Sequence, residues 1–367
     1  MRVLSTRELN RTYLHRQLLA ERTARPAREI IEHLVALQGQ EADSPYLSLR
    51  ARSSDFAIED LTDLLTGREV VRSPLLRGTQ HLSSAADYPW VRASLQPALD
   101  RFAGRGNNLT GVDMEKFTAI AREVLANGPA TRPELSRRLV AEFPGIDPKS
   151  LSYVVHLKLS LLHPPPAGTW RHRGRVTCVL AEEWLGRPEA EPDPESLVMR
   201  YLAAFGPASV KDMQTWSGLT RLGALLSAMR PRLTVFKDEN GIDLYDVTDA
   251  PLIDEDGPAP VVFLPEFDNA VLGHADRSRI LHPGDRAIVM PGWSVVRPTV
   301  LVDGFVSAVW ALEGSTLSIA PFRPLAPAEV AAVETEAGRL LEFTVPGPGE
   351  VRWVELSGTA FDRSWRP

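Results

Sequence analysis

The sequence predicts an α+β fold, with three tandem winged helix-turn-helix units leading into a small C-terminal β-barrel. Three observations carry this. The pattern Gly-Pro-Ala-Thr/Ser-x-x-acid occurs at 128–134 and again at 206–212, each time before helical and then hairpin-like sequence. Residues 70–90 repeat that order after four helical patterns. From Val261 the apolar residues fall into short, strand-length runs parted by turn dipeptides.

In chain order, Leu4, Leu9, Tyr13, Leu14 and Leu18 give one buried face to a helix over 4–20. Pro26 opens a second helix. Ile31, Leu34, Val35 and Gln38 are spaced i, i+3, i+4, i+7, so Gln38 is placed on that helix's apolar stripe. Gly39 lets the chain leave the helix, so Gln38 and Gln40 can face the same way, as residues i and i+2 do in extended chain. They either converge on one pocket, or Gln38 caps a helix end and Gln40 is solvated. Helices follow at 44–52 and 58–66, then strand-like segments around Val70–Val71 and Gln80–Leu82, with a bend at Gly78.

In the second unit, from about Met114, Thr131 and Glu134 form a capping box after a glycine stop. A helix over 148–161 and a hairpin over 169–181, turning near Gly174, complete it. The third unit holds a helix over 220–229 and a hairpin over 233–247 turning at Asn240-Gly241. The expected units are 1–110, 111–190, 191–257 and 258–367. In the last, AIVM (287–290), TVLV, FVSAVWAL and STLSIAPF read as strands, and 327–343 as a helix before a final strand near 351–356. Asp303-Gly304 and Glu313-Gly314 are its tight turns.

The totals exclude several classes. At 367 residues, 44% hydrophobic and 24% charged, the chain has the composition of a soluble multidomain protein. Cys178 is the only cysteine, so neither an internal disulfide nor a thiolate metal site can form. No apolar run reaches membrane-spanning length and the N-terminus lacks a signal-peptide core, so a cytoplasmic, nucleoid-associated protein is expected. The net charge of −6 is unevenly spread. Residues 1–180 carry +6 and residues 181–367 carry −12, which permits a polyanion on the front half. Phosphate-cradling glycine loops, the Gly-x-Ser-x-Gly elbow and HExxH spacing are absent, so neither cofactor nor metal is expected.

Winged helices bind duplex DNA through a helix in the major groove and a wing on the backbone. Arg171, His172, Arg173 and Arg175 on the second hairpin suit phosphate contact, or else form a solvated wing. Arg77, Thr79 and His81 alternate and would share one strand face. His274, Arg277 and Arg279 would put donors on an exposed loop or in a salt-bridged turn. His33, His156 and His163 read as structural.

Four segments together resemble the AlkZ/YcaQ family of winged-helix DNA glycosylases: LQGQ (37–40), RGTQHL (77–82), LPEFDNAVLGHADRSRIL (264–281) and PTVLVDGFVSAVW (298–310). The likeness covers essentially the whole chain and is nearest the AlkZ branch. It implies a Gln-x-Gln catalytic pair at Gln38 and Gln40, where the other branch has an aspartate second. The middle residue, usually apolar, is Gly39 here, and Gln80 replaces a commonly apolar residue. The implied reaction is hydrolysis of the N-glycosidic bond of cationic N7-alkylguanine, genotoxin-derived interstrand crosslinks included, as DNA repair and self-resistance. The partner is then duplex DNA carrying alkylated guanine, and a monomer is expected. Arg77, Thr79 and His81 would lie near the lesion, with Arg171, Arg173, His274, Arg277 and Arg279 against DNA. The rival reading is a non-catalytic winged-helix DNA-binding protein, either a regulator or a lesion-shielding protein. A regulator should prefer one sequence, whereas a glycosylase binds with salt dependence and little sequence preference.

Overall fold

The computed structural model describes residues 1–106, 109, 111–292 and 295–356. The boundary expected at 110 and the tail from 357 lie outside the described residues. Ser5 and Glu8 form a reciprocal capping box that starts α1 (Thr6–Arg16). There follow α2 (Ala27–His33), β1 (Leu37–Gln38), α3 (Ser44–Arg52), α4 (Ile58–Thr66), β2 (Val70–Pro74), β3 (Gln80–Ser84) and α5 (Tyr88–Ala103). The three strands form one antiparallel sheet in the order β1-β3-β2.

The helix expected to run through Gln38 stops at His33. Val35 takes a φ of 68°, and the chain then runs extended so that Leu37 pairs with Leu82 and Gln38 with His81. The periodicity was real but ambiguous. Ile31, Leu34 and Val35 are fully buried whether Val35 continues the helix or turns out of it, so their spacing cannot tell the two apart. Strand pairing with β3 decides it. Ser83 Oγ donates to the Val35 carbonyl and holds the turn (3.3 Å).

Next come α6 (Met114–Ala126), β4 (Ala130–Thr131), α7 (Arg132–Glu142), α8 (Pro148–Lys158), β5 (Leu161–Leu162), β6 (Thr177–Leu180) and α9 (Ala181–Leu185), with strand order β4-β6-β5. Only the second limb of the hairpin expected at 169–181 is a strand, and its partners are β4 and β5. The first limb turns instead: His172 N donates to Thr169 O, and Arg171 takes a φ of 56°. Its arginines reach Asp43, so polar docking rather than a ladder satisfies this stretch.

The third part holds α10 (Pro194–Phe205), α11 (Val210–Ser217), α12 (Leu222–Met229), β7 (Leu233–Lys237) and β8 (Asp243–Val247). The repeated box has the same place in both parts. Ala130 pairs with Cys178 and Ala208 bridges to Tyr245, and a capping box follows each, Thr131 with Glu134 and Ser209 with Asp212.

The last part comprises β9 (Val262–Leu264), α13 (Asn269–Leu272), α14 (Arg286–Val289), β10 (Thr299–Val302), β11 (Phe305–Glu313), β12 (Thr316–Pro321), α15 (Pro327–Thr344) and β13 (Glu350–Trp353). Among the described residues the expected barrel is an open five-stranded sheet, β13-β12-β11-β10-β9, in which β13 joins parallel to β12. The sheet does not close because α15 covers its apolar face. Val333, Ala337, Leu340 and Leu341 pack on Phe263, Val300, Trp310, Leu317 and Ile319. Each large side chain buried this way is worth about 1.5–3 kcal/mol. AIVM is not a strand: most of it lies in the one-turn α14, and an apolar run of four residues carries no usable period.

One continuous apolar core runs from Tyr13 to Ala320 and joins all four parts. Buried ion pairs tie them further: Arg16 to Asp246, and Arg52 to Asp268 at 2.9 Å. Among the described residues no helix is long and apolar enough to cross a membrane.

Candidate active site

Gln38 and Gln40 lie at the end of β1, against the start of β3. Gln38 is 6% exposed; Gln40 is exposed. The Gln38 carboxamide bridges two groups: Oε1 accepts the Gln40 N–H at 2.7 Å, and Nε2 donates to Thr79 Oγ1 at 3.3 Å. Gln40 Oε1 accepts the Gln80 N–H at 3.4 Å. The buried amide is therefore paired, as its cost of desolvation requires. Gly39 sits tightly between them. A Cβ there would lie 2.6 Å from Leu82 Cδ1, and Leu82 is fully buried, so any side chain at this position has to displace Leu82. Arg72 Nε clamps the Gly39 carbonyl at 3.0 Å, and its NH2 reaches that of Gln40 at 3.3 Å.

The two carboxamides touch the same edge of β3 but line different cavities. Gln40 opens into one of about 530 Å³ between the first two parts of the chain. Its walls include Arg72, Gln80, Arg132, Arg137, His156 and His163. Burial, with Arg132 adding to it, pushes Arg72 down to about 10 and His156 down to about 4. Burial, His156, Arg72 and Arg132 hold His163 well below the ordinary histidine value. Both imidazoles are thus neutral near pH 7. His163 Nδ1 accepts from Arg72, so its Nε2 carries the proton. That Nε2, His156 Nε2 and Gln80 Oε1 are buried without a hydrogen-bond partner. The cavity therefore combines a positive field with walls whose polar atoms are left partly unpaired. Cys178 on its wall is no nucleophile. Burial pushes its thiol up to about 12, and Sγ donates to Ala130 O at 3.1 Å.

The other expected residues are mostly interior. Arg77 lies in the turn before β3, not on the strand face of Thr79 and His81. Its guanidinium donates to Trp216 O at 2.9 Å and Asn269 Oδ1 at 3.1 Å. Thr79 supports Gln38. His81 is fully buried, its Nδ1 on Thr79 O at 2.9 Å, and burial followed by the Arg77 charge pushes it down to about 3. The expected exposed loop is packed inside. His274 meets Phe205 O at 3.0 Å and Tyr13 edge-on at 4.8 Å. Arg279 donates to Pro207 O at 2.8 Å, and the partly buried Arg277 to Val271 O at 3.0 Å. These side chains look like donors to DNA in sequence, yet they are spent on backbone carbonyls that no ladder satisfies. Arg171 and Arg173 are exposed. The Arg171 N–H and the Arg173 guanidinium hold Asp43 at 2.6 and 2.7 Å, just past Gln40. A larger cavity, about 820 Å³, lies beside β7 and β8, far from this site in the chain, and shares only Arg279 with the expected residues.

A family model, DNA glycosylase AlkZ-like, matches residues 31–343. The chain belongs to that family. It is a DNA glycosylase of the AlkZ-like kind. It is 26% identical over 359 residues to an interstrand DNA cross-link repair glycosylase of Streptomyces sahachiroi, covering 89% of this chain and 93% of that protein. Its fold is similar to that of Streptomyces sahachiroi DNA glycosylase AlkZ, with a TM-score of 0.80 at 23% identity, over 96% of this chain and 100% of that one.

Sequence reasoning passed over several residues of this cavity. Arg72 stood in view as the charge inside VVRSP, a strand otherwise free of charge. His163 and His156 read as structural from their helix and turn surroundings, and their unpartnered Nε2 atoms depend on tautomers that only packing assigns. Arg132 and Gln80 carry no spacing signal; the cavity alone brings them together.

Proposed function

We propose that this glycosylase hydrolyses the N-glycosidic bond of N7-alkylguanine in duplex DNA, interstrand crosslinks included, and so repairs genotoxin damage and gives its host self-resistance. The observation that carries this is an exposed carboxamide, Gln40, held by Gln38 and β3 at the mouth of a basic cavity. Alkylation at N7 makes guanine a cation, so the base leaves without being protonated. The enzyme has then to stabilise an oxocarbenium-like sugar and place a water. A fixed carboxamide dipole does the first once bound duplex covers the site and displaces its water. Gln40 is the group open to the sugar; Gln38, nearly covered, fixes it through the 2.7 Å bond to its N–H.

The positive field around Arg72, Arg132 and Arg137 would repel a cationic base and attract a backbone phosphate. The strand carrying the lesion is therefore seated with its sugar-phosphate at the cavity and its base turned away, without full extrusion. The order of helix, short strand, capped helix, helix and strand pair in the second and third parts is that of winged-helix units. We read 1–110, 111–190 and 191–257 as three such units on the scaffold 258–367, acting as a monomer. The relative's name, an interstrand cross-link repair glycosylase, supports the substrate class.

The test is release of N7-methylguanine from alkylated duplex DNA, followed by chromatography of the freed bases. Wild type releases it, and Gln40→Ala releases it roughly 10²–10³ times more slowly, the range for losing one transition-state donor or dipole. Release at the wild-type rate by the Gln38→Ala/Gln40→Ala double variant would sink the assignment.

A further inference from the structure

A carboxamide has no usable pKa and cannot take a proton from water at neutral pH. A group that can lies on the same small cavity as Gln38. Glu266, two residues past β9, lines with Gln38 a cavity of about 10 Å³, room for a single water. Two carboxyls face this space, and they differ in how they are occupied. Asp268 is fully engaged: Arg52 holds it at 2.9 and 3.0 Å, Ser48 Oγ at 2.8 Å and Ala270 N at 2.8 Å. Glu266 has a buried Oε1 with no hydrogen-bond partner. Two further polar side chains of the lining are committed. Gln17 donates to Ala204 O, and Asn269 Nδ2 to Ala36 O at 3.1 Å. The charges facing Glu266 are Glu41 and Asp43 from the loop after Gln40, and Arg173 from the connection that docks on Asp43.

We propose that Glu266 is the general base of the reaction, taking the proton of a water that attacks the deoxyribose held at Gln40 from the side of the pair that Gln38 lines. The step balances. The water oxygen bonds to C1′ as the C1′–N9 bond breaks, and that electron pair neutralises the cationic purine. The water proton passes to the Glu266 carboxylate, which returns it to solvent. A neutral alkylguanine and an abasic sugar leave.

The surroundings match the role. Burial first, then the charges of Glu41 and Asp43, push this carboxyl up to about 8, against Arg173. A base with that value is part-ionised at neutral pH and strong enough to accept a proton. Bound phosphates add negative charge and move it no lower.

The inference rests on the glycosylase reading, and the test separates the two. Single-turnover release of N7-methylguanine from alkylated duplex is measured from pH 6 to 9 for wild type, Glu266→Gln and Glu266→Asp, with thermal melts and duplex binding confirming that each is folded. The wild-type rate should rise about tenfold per pH unit before levelling at or above pH 8. The Gln variant should be slower by roughly 10²–10⁴ and flat with pH. The Asp variant, slower, should keep the rise. Should the Gln variant fail to fold, the Asp variant and the wild-type solvent deuterium effect carry the test. A flat wild-type profile, or a Gln variant that keeps the wild-type rise, overturns the role of Glu266 while leaving the activity intact. A wild type that frees no alkylguanine overturns the activity itself.

Discussion

Gly39 offers a sharp test of how the glutamines are held. The backbone there is not in the left-handed region, so a side chain meets no conformational strain, only Leu82. In Gly39→Ala the new Cβ would lie 2.6 Å from Leu82 Cδ1, closer than real carbons approach. Leu82 is fully buried and pairs with Leu37, so β3 and β1 must part or Leu82 must leave its rotamer. Overpacking of this kind costs about 1–3 kcal/mol. Shortening the neighbour should relieve it. Leu82→Val alone loses apolar contact worth about 1 kcal/mol, but the Gly39→Ala/Leu82→Val double variant should be nearly as stable as Leu82→Val. Urea unfolding of all four proteins gives the coupling, which should be about 1–2 kcal/mol in favour of the double variant. Base release should follow the same order, because parting β1 from β3 loosens Gln38 from Thr79 and Gln40 from Gln80. Additive losses, or a Gly39→Ala protein as stable as wild type, would refute close packing as the reason for glycine here.

Arg132→Ala should weaken binding to alkylated duplex about equally across sequences and lower the salt slope by about one, read by fluorescence anisotropy at several ionic strengths. Asp268→Asn should cost about 3–5 kcal/mol, because it leaves Arg52 buried and charged without its partner; urea melts measure it. Burial lifts the Asp268 carboxyl, but Arg52 and the hydrogen bonds to it outweigh this and leave it below the ordinary value. Its contribution is therefore present above about pH 4 and is lost as pH falls through the lowered value, so acid melts of wild type and variant should converge. Glu266 has the opposite sign. Its carboxyl binds a proton in the folded state up to about pH 8, so between roughly pH 4.3 and 8 the fold is progressively penalised. Glu266→Gln should raise Tm, by an amount that grows from pH 5 to pH 8.

Where a pattern was long or a turn chemistry specific, the chain could be read directly. The helices 44–52 and 58–66, the hairpin at Asn240-Gly241 and both capping boxes stand where the residues put them. The readings failed where two structures bury the same residues. Val35 is inside as the end of a helix or as a turn into a strand, and four apolar residues at 287–290 serve a strand or a helical turn equally. Polar stretches misled for a different reason. Arg77 reads as a donor on a strand face, and His274 and Arg279 as donors on a DNA-facing loop; nothing in their order shows that Trp216, Phe205 and Pro207 have carbonyls waiting for them.

The identity of the two glutamines, the repeat of the capped helices and the chemistry open to a side-chain amide belong to the sequence, because they depend on residue type and local spacing. Which glutamine is left exposed, which arginines line a cavity and which carboxyl oxygen is left without a partner belong to the tertiary structure. Each depends on what residues dozens to hundreds of positions away use up, and burial rather than order along the chain sets a group's charge and its freedom to act.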